Sequence, residues 1–294
     1  MESYLGTILF LVVLYAGIAV SYDLVAGSGG MLPLSHMAIV GIGAYSVAIV
    51  MTRGYSYLVA VVVAATVAAV ACAAFSFVTV RLRKDVWIAA TLGLQLVLLD
   101  VGNNLSALTG GPLGTRAPPP SIAAPLGGVF SRVALVAVPV AMVVMIAYCI
   151  SRSRFAMALR AAHENEVFVR LSGIRVGLAR STAFIISGTM AAVIGCGYGP
   201  ALGYLKPETF ALTESLLIMG IAVVGGLGTR LGPLLGAVAL VGVPEFARLA
   251  LSMPPGVEAN LRKLFFGLFV LLVVIVRPRG LVRGYDLAQE VVEQ

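Results

Sequence analysis

The sequence is poor in charge. Only 11% of its 294 residues are Asp, Glu, Lys or Arg, whereas 60% are hydrophobic. An average soluble domain carries about 25% charged residues, so this chain lacks the polar residues needed to cover a water-exposed surface. The same hydrophobicity excludes an intrinsically disordered chain. The remaining class is a polytopic membrane protein. The net charge of +7 fits that class, because basic residues between apolar runs are typical orientation signals.

Motifs for catalysis and metal binding are also missing. Each of the three lysines follows Arg or Leu, so the chain has no Walker A loop, which requires Gly-Lys followed by Ser or Thr. The two histidines, His36 and His163, form no paired-histidine metal motif or Ser/His/Asp pattern. The three cysteines lie in apolar stretches and favour core positions over a disulfide framework. We therefore expect no catalytic residue, metal site or bound cofactor.

What the sequence does contain is a series of apolar runs, several of them close to the 20 residues needed to cross the hydrocarbon core. They predict an all-α transmembrane bundle of about nine spans, forming a single domain over residues 1–294. The predicted spans are residues 5–26, 31–52, 57–80, 86–102, 131–151, 179–199, 213–229, 232–251 and 263–277. Interruptions by Gly and Pro predict some broken or re-entrant helices. The first run lacks a preceding basic region, which favours a span over a cleaved signal peptide.

The basic residues are unevenly distributed between the loops. Thirteen of the 20 belong to the loops around residues 81–85, 152–178 and 228–231 and to the C-terminal tail. The positive-inside rule then predicts that these segments are cytoplasmic and the N-terminus external. The long loop 103–130, rich in Gly and Pro, is accordingly external. Apolar spacing in the cytoplasmic loop 152–178 predicts short amphipathic helices that lie on the membrane or dock into a partner.

Two interrupted segments favour a transport pathway. Residues 28–30 precede Pro33, and residues 225–228 precede Pro233; paired interruptions of this kind are typical of transporters, although abundant glycine makes chance an alternative. An acidic residue before the first interruption would cap free amides or face the pathway. A packed, hydrogen-bonded histidine is the alternative to a gate at position 36. The candidate pathway residues are Asp23, Gly30, His36, Gly225 and Gly226.

Five stretches, in order, resemble one family. They are residues 27–45, 81–93, 108–114, 153–174 and 224–236, the last followed by the Arg-Pro-Arg-Gly-Leu of residues 277–281. The sequence resembles the permease subunits of bacterial ABC importers for branched-chain amino acids, in the LivM-like branch. It departs from the family at Asp23, where Asn is usual, at residues 31–36, where Gln-Leu-Ser-Leu-Gly-His is usual, and at residues 167–169, where small alanines are usual. The first two departures leave the solute open, and the third predicts a differently shaped socket on the ATPase partner.

The resemblance implies a permease that forms half of a pathway for branched-chain or related amino acids in the bacterial inner membrane. It implies a second, LivH-like permease, two cytoplasmic subunits that bind the ATP, and an extracytoplasmic solute-binding protein. The loop 152–178 would contact the ATPase. The expected contact residues are Phe155, Leu159, Arg160, Glu166 and Gly173. Alternatives are a permease for urea or short-chain amides in the same family, a self-contained secondary transporter, and a membrane enzyme acting on lipid.

Overall fold

The structure, a computed structural model, describes residues 2–120, 128–246, 267–269, 271, 273, 275 and 280–282. Within these ranges the chain is almost entirely helical. The helices are α1 Glu2–Gly29, α2 His36–Thr52, α3 Tyr57–Thr79, α4 Lys84–Asn104, α5 Ser106–Thr109, α6 Gly128–Ser151, α7 Arg154–Glu164, α8 Glu166–Leu171, α9 Val176–Leu202, α10 Leu212–Gly225 and α11 Gly232–Ala237. Two short strands, β1 Thr115–Arg116 and β2 Tyr204–Leu205, pair in antiparallel orientation. Single 3₁₀ turns occupy Gly111–Leu113 and Pro207–Phe210, and a π-helical turn, Val238–Gly242, follows α11.

The predicted all-α membrane bundle is confirmed. Six helices of the described chain are long and apolar enough to cross a membrane: α1, α3, α4, α6, α9 and the segment Pro207–Gly225. Two further apolar helices, His36–Thr52 and Gly232–Phe246, are shorter. These eight helices correspond to the first eight predicted spans. The ninth predicted span, 263–277, lies largely outside the described residues.

Two of the predicted limits were wrong. The second span was expected to begin at residue 31, but its helix begins at His36, because Pro33 supplies no amide donor and disfavours helix in the residue before it. The seventh was expected to reach residue 229, but its helix ends at Gly225. Gly226 there has a φ of 108° and Gly228 a φ of 74°, values that interrupt an α-helix.

The centre of the bundle is α9, which is buried along most of its length and packs against α1, α2, α3 and α6. Its crossing with α2 depends on small residues on both helices. A Cβ on Gly43 would overlap the Ala192 carbonyl, and a Cβ on Gly195 would overlap the Val40 carbonyl. Close backbone approach of this kind is the usual source of helix association in membranes. By contrast, α3 and α4 expose most of their apolar side chains.

Loops rich in arginine lie at one end of the bundle. Residues 79–87 line a cavity together with Glu166 and Arg180, and residues 228–230 line another together with Ser151 and Arg160. We call this the basic end, defined by residues 79–87, 151–175 and 226–231. The structure thus brings together three loops that the charge distribution predicted to share one side of the membrane.

Candidate translocation and coupling site

The two helix interruptions meet at the basic end. The first, residues 30–35, separates α1 from α2, and the second, residues 226–231, separates α10 from α11. Asp23 joins them, because its Oδ1 accepts a hydrogen bond of 2.8 Å from the Gly228 amide. Gly27 lies so close to the same turn that a Cβ would overlap the Gly228 nitrogen. The structure therefore places Asp23 and Gly27 of α1 against the 226–231 turn, which follows Gly225.

The free amides at the start of α2 are satisfied by side chains of other helices. Leu34 donates to the Thr91 hydroxyl at 3.0 Å, Met37 donates to the Ser215 hydroxyl at 3.1 Å, and Ala38 donates to Gln95 Oε1 at 3.3 Å. We call Thr91, Gln95 and Ser215 the capping triad; all three are fully buried. Because the bilayer core offers no water to unpaired backbone groups, the triad lets a helix begin inside the bundle.

Gln95 is the centre of this triad. Its Nε2 donates to the Phe210 carbonyl at 2.7 Å, and its Oε1 also accepts from the Ser215 hydroxyl at 3.1 Å. One side chain of α4 therefore ties the start of α2 to the 3₁₀ turn and to α10. Sequence reasoning missed the triad. The available signal was the presence of glutamine, threonine and serine in runs that are otherwise apolar.

His36 is buried within the bundle, against α1. Its Nε2 lies 2.9 Å from the Ser21 hydroxyl, which itself donates to the Ile18 carbonyl at 2.7 Å. Tyr22 packs its ring edge-on against the imidazole, with centroids 5.3 Å apart. Nδ1 is buried without a hydrogen-bond partner among the described residues. The contacts match the packed histidine that the sequence offered as the alternative.

The glycine turn is closed by backbone packed on backbone. A Cβ on Gly225 would overlap the Gly232 carbonyl, and one on Gly232 would overlap the Gly226 carbonyl. The C-terminal residues 280–282 close the other side: Leu281 donates to the Val224 carbonyl at 2.8 Å and Val282 to the Gly225 carbonyl at 3.1 Å. Gly225 and Gly226 are thus buried packing residues in this conformation.

A small cavity joins a predicted coupling residue to a predicted pathway residue. It has a volume of about 190 Å³ and is lined by Asp23, Arg160 and Gly228 among others. The arginine is held in place by its own loop, because its guanidinium donates to the carbonyls of Ala156, at 3.3 Å, and Ser151. The cavity lies between α1, α6, α7 and the glycine turn.

His163, at the end of α7, is a second link between the 152–178 loop and the α1–α2 interruption. Its imidazole lies against Gly30, so that a Cβ on this glycine would overlap Nδ1. Gly30 also has a φ of 64°, a left-handed conformation that favours glycine. Gly30 therefore leaves the space that the His163 side chain occupies. We call residues 152–178, to which His163 belongs, the coupling loop. Sequence analysis named both residues but did not connect them.

The coupling loop has an inner and an outer side. Leu159 is fully buried in the main core and Phe155 packs against that core. Glu166 accepts from Arg170 at 2.5 Å and from Arg180 of α9 at 2.9 Å. Gly173, with a φ of 84°, ends α8 in a Schellman motif, in which Ile174 donates to the Val169 carbonyl. The outer side carries three exposed apolar residues beside the exposed Arg170. They are Val167, Phe168 and Leu171.

Six helices long and apolar enough to cross a membrane define a multi-pass membrane protein. Residues 4–274 match the family described as the permease component of branched-chain amino acid transport systems. The chain belongs to this family, and the resemblance noted from its motifs is confirmed. It is a permease component of ABC-type transport and is not itself the ATPase.

Named relatives cover most of the chain. It is 28% identical over 301 residues to the high-affinity branched-chain amino acid transport system permease protein LivM of Escherichia coli K12, spanning 92% of this chain and 68% of the relative. LivM of Salmonella typhimurium LT2 is 28% identical over 298 residues, spanning 91% and 67%. The autoinducer 2 import system permease protein LsrC of Enterobacter sp. 638 is 29% identical over 208 residues, spanning 67% and 58%. No solved structure matches the chain.

Proposed function

We propose that this chain forms half of the translocation pathway of an importer for branched-chain or related amino acids in the bacterial cytoplasmic membrane. A second, LivH-like permease forms the other half, and an extracytoplasmic binding protein delivers the solute. Two cytoplasmic subunits bind and hydrolyse ATP, while this chain binds no cofactor. The family match over residues 4–274 and the LivM relatives support this assignment.

The observation that carries the proposal is the contact between α7 and the α1–α2 interruption. His163 lies against Gly30, and Arg160 shares a cavity with Asp23. A movement of α7 caused by the ATPase is therefore delivered directly to the point where a membrane helix is broken. Packed elements with two alternative arrangements amplify small shifts of this kind into larger ones.

The ATPase contact itself is assigned to the outer side of the loop. Val167, Phe168 and Leu171 are 69%, 68% and 83% exposed, which suits insertion of a short apolar ridge into a partner's groove. Phe155 and Leu159 instead hold α7 against the bundle. Glu166 and Arg160 fix the loop's orientation, and Gly173 allows the chain to turn into α9.

A second solute class has support from the comparisons. The LsrC relative is named for import of autoinducer 2. Urea and short-chain amides are further candidates from the resemblance. The decisive experiment is a tagged pull-down from native membranes in mild detergent, followed by reconstitution of the recovered assembly and uptake of labelled leucine, autoinducer 2 and urea.

We expect recovery of a second permease and an ATP-hydrolysing subunit, with ATP-dependent uptake of leucine. Uptake of another solute would change the cargo and leave the class intact. Recovery of the chain alone, under conditions that preserve a known ABC complex, together with ion-driven uptake, would overturn the class in favour of a secondary transporter.

The coupling contact is tested with His163→Ala in the same assembly. We expect ATP hydrolysis to continue while solute uptake per ATP falls at least fivefold. The matched control is Glu164→Gln, on the adjacent exposed position of α7, which should leave the ratio unchanged. Unchanged coupling in His163→Ala would remove this contact from the mechanism without affecting the assignment of the assembly.

A further inference from the structure

A second cavity at the basic end is separate from the one that Asp23 and Arg160 line. Its volume is about 460 Å³, and it lies between the loop that joins α3 to α4 and the helices α8 and α9. Its size falls within the range of about 300–1,000 Å³ typical of small-molecule sites. Its wall is largely charged, in a chain in which only 11% of residues are charged. The basic residues that line it are Arg81, Arg83, Lys84, Arg170 and Arg180.

Positive charge exceeds negative charge in this cavity. The acidic lining residues are Asp85 and Glu166, so five basic side chains face two acidic ones. Glu166 is already used, because it pairs with both Arg170 and Arg180. The Nε of Arg180 is buried and has no hydrogen-bond partner among the described residues. The cavity therefore has the charge and the donors to bind an anion, and arginine forks suit phosphate oxygens in particular.

The helix ends on either side of the α3–α4 loop carry exposed apolar side chains. Phe77 and Val78, at the end of α3, are 85% and 76% exposed, and Val86, at the start of α4, is 52% exposed. Residues of this kind at the end of membrane helices face acyl chains. A ligand with an anionic head and an apolar tail matches both surfaces at once. A free anion would use only the cavity.

We propose that this cavity binds the phosphate headgroup of an anionic membrane lipid. The arginines of the 81–84 loop and Arg180 hold the phosphate, while the acyl chains lie along the exposed ends of α3 and α4. Basic pockets between helices on the cytoplasmic side of membrane proteins bind such headgroups. Because Glu166 and Arg170 form one wall, the lipid would also brace α8 against α9.

The test is a native mass spectrometry titration of the full chain in detergent with phosphatidylglycerol and, separately, phosphatidylcholine. We expect phosphatidylglycerol to bind at least tenfold more tightly. The double variant Arg81→Gln/Arg83→Gln should weaken phosphatidylglycerol binding about tenfold or more, since each charged hydrogen bond to phosphate is worth a factor of about ten or more. The matched control, Arg154→Gln/Arg175→Gln, removes two exposed charges from the same end outside the cavity and should change affinity less than twofold.

A gain-of-binding variant keeps the proposal testable if the double variant does not fold. Asp85→Asn removes an acidic lining group and should tighten phosphatidylglycerol binding two- to threefold. Equal affinity for the two lipids, or equal weakening by both double variants, would overturn the proposal. Full displacement of the lipid by millimolar inorganic phosphate would assign the cavity to free phosphate and overturn the lipid as its source.

Discussion

The two helix interruptions are closed in different ways. The start of α2 is satisfied by the capping triad Thr91, Gln95 and Ser215, which come from two other helices. The turn between α10 and α11 is closed by its own glycine backbone and by residues 280–282. The first interruption is therefore held by polar side chains that can exchange partners. The second is held mainly by close backbone packing, which we call closure by shape.

We therefore expect the α1–α2 interruption to rearrange more readily than the α10–α11 interruption. Hydrogen bonds between side chain and backbone can be broken and replaced one at a time, at a modest net cost each. Backbone in contact with backbone leaves no space for adjustment. The contact of His163 with Gly30 falls on the first interruption, where movement is cheaper. The four predictions below test this contrast.

The largest effect is expected for Gly225→Ala. The new methyl would overlap the Gly232 carbonyl, and Gly232 is itself packed closely against the Gly226 carbonyl. We expect destabilisation of about 3 kcal/mol or more, measured by heating in detergent and size-exclusion chromatography. Gly29→Ala is the control, because a Cβ there meets no atom within 4 Å. A wild-type melting temperature for Gly225→Ala would show that the turn is not closed by shape.

The next effect is expected for Gln95→Leu. This change leaves the Ala38 amide and the Phe210 carbonyl without their side-chain partner, and unpaired buried groups cost about 1–3 kcal/mol each. Thermal unfolding should report a loss of about 2–3 kcal/mol. The control is Thr66→Val, whose hydroxyl bonds only to the carbonyl of its own helix at Val62. If both variants unfold alike, the capping triad does not stabilise α2.

A smaller effect is expected for Ser215→Ala, which removes one partner of the triad. The Met37 amide loses its acceptor at 3.1 Å, while Gln95 keeps its bonds to Ala38 and Phe210. We expect a loss of about 1 kcal/mol in thermal unfolding. The double variant with Gln95→Leu should lose less than the sum of the single variants, because the two side chains share a hydrogen bond. Strict additivity would show that the two caps act independently.

The smallest effect is expected for Asp23→Asn. The asparagine oxygen can still accept from the Gly228 amide, so stability should change by less than about 0.5 kcal/mol. Asp23→Leu removes the acceptor and should cost about 1 kcal/mol. Thermal unfolding of the pair separates hydrogen bonding from charge. Equal losses in the two variants would mean that the charge of Asp23, rather than its bond to the turn, joins the interruptions.

The sequence could predict the helices but not the connections between them. Apolar runs predicted nine spans, and eight of them match helices of the described chain, because crossing the hydrocarbon core imposes length and composition on each helix separately. Pro33 and the Gly-Gly-Leu-Gly of residues 225–228 marked the two interruptions. That Asp23 would bridge them, over 205 positions of sequence, depends on tertiary packing that no local pattern records.

The sequence predicted several residues of the candidate site but not the groups that they contact. Leu159 was expected on the ATPase surface because it lies on the apolar face of an amphipathic helix, but that face packs against the bundle. Periodicity identifies an apolar face without saying what covers it. The triad was missed for a related reason. A lone Gln95 in an apolar run signals a buried partner but does not identify the Ala38 amide or the Phe210 carbonyl.

The position of α9 has a consequence for signalling across the membrane. With 27 residues and a rise of about 1.5 Å for each, it is about 40 Å long. Near its start Arg180 holds Glu166, and just beyond its end Leu205 pairs with Thr115. We expect a displacement of α8 that keeps the Glu166–Arg180 ion pair intact to move α9 and, with it, the β-ladder at the other end. Binding of a ligand at one face of the membrane would then be coupled through α9 to rearrangement at the other face.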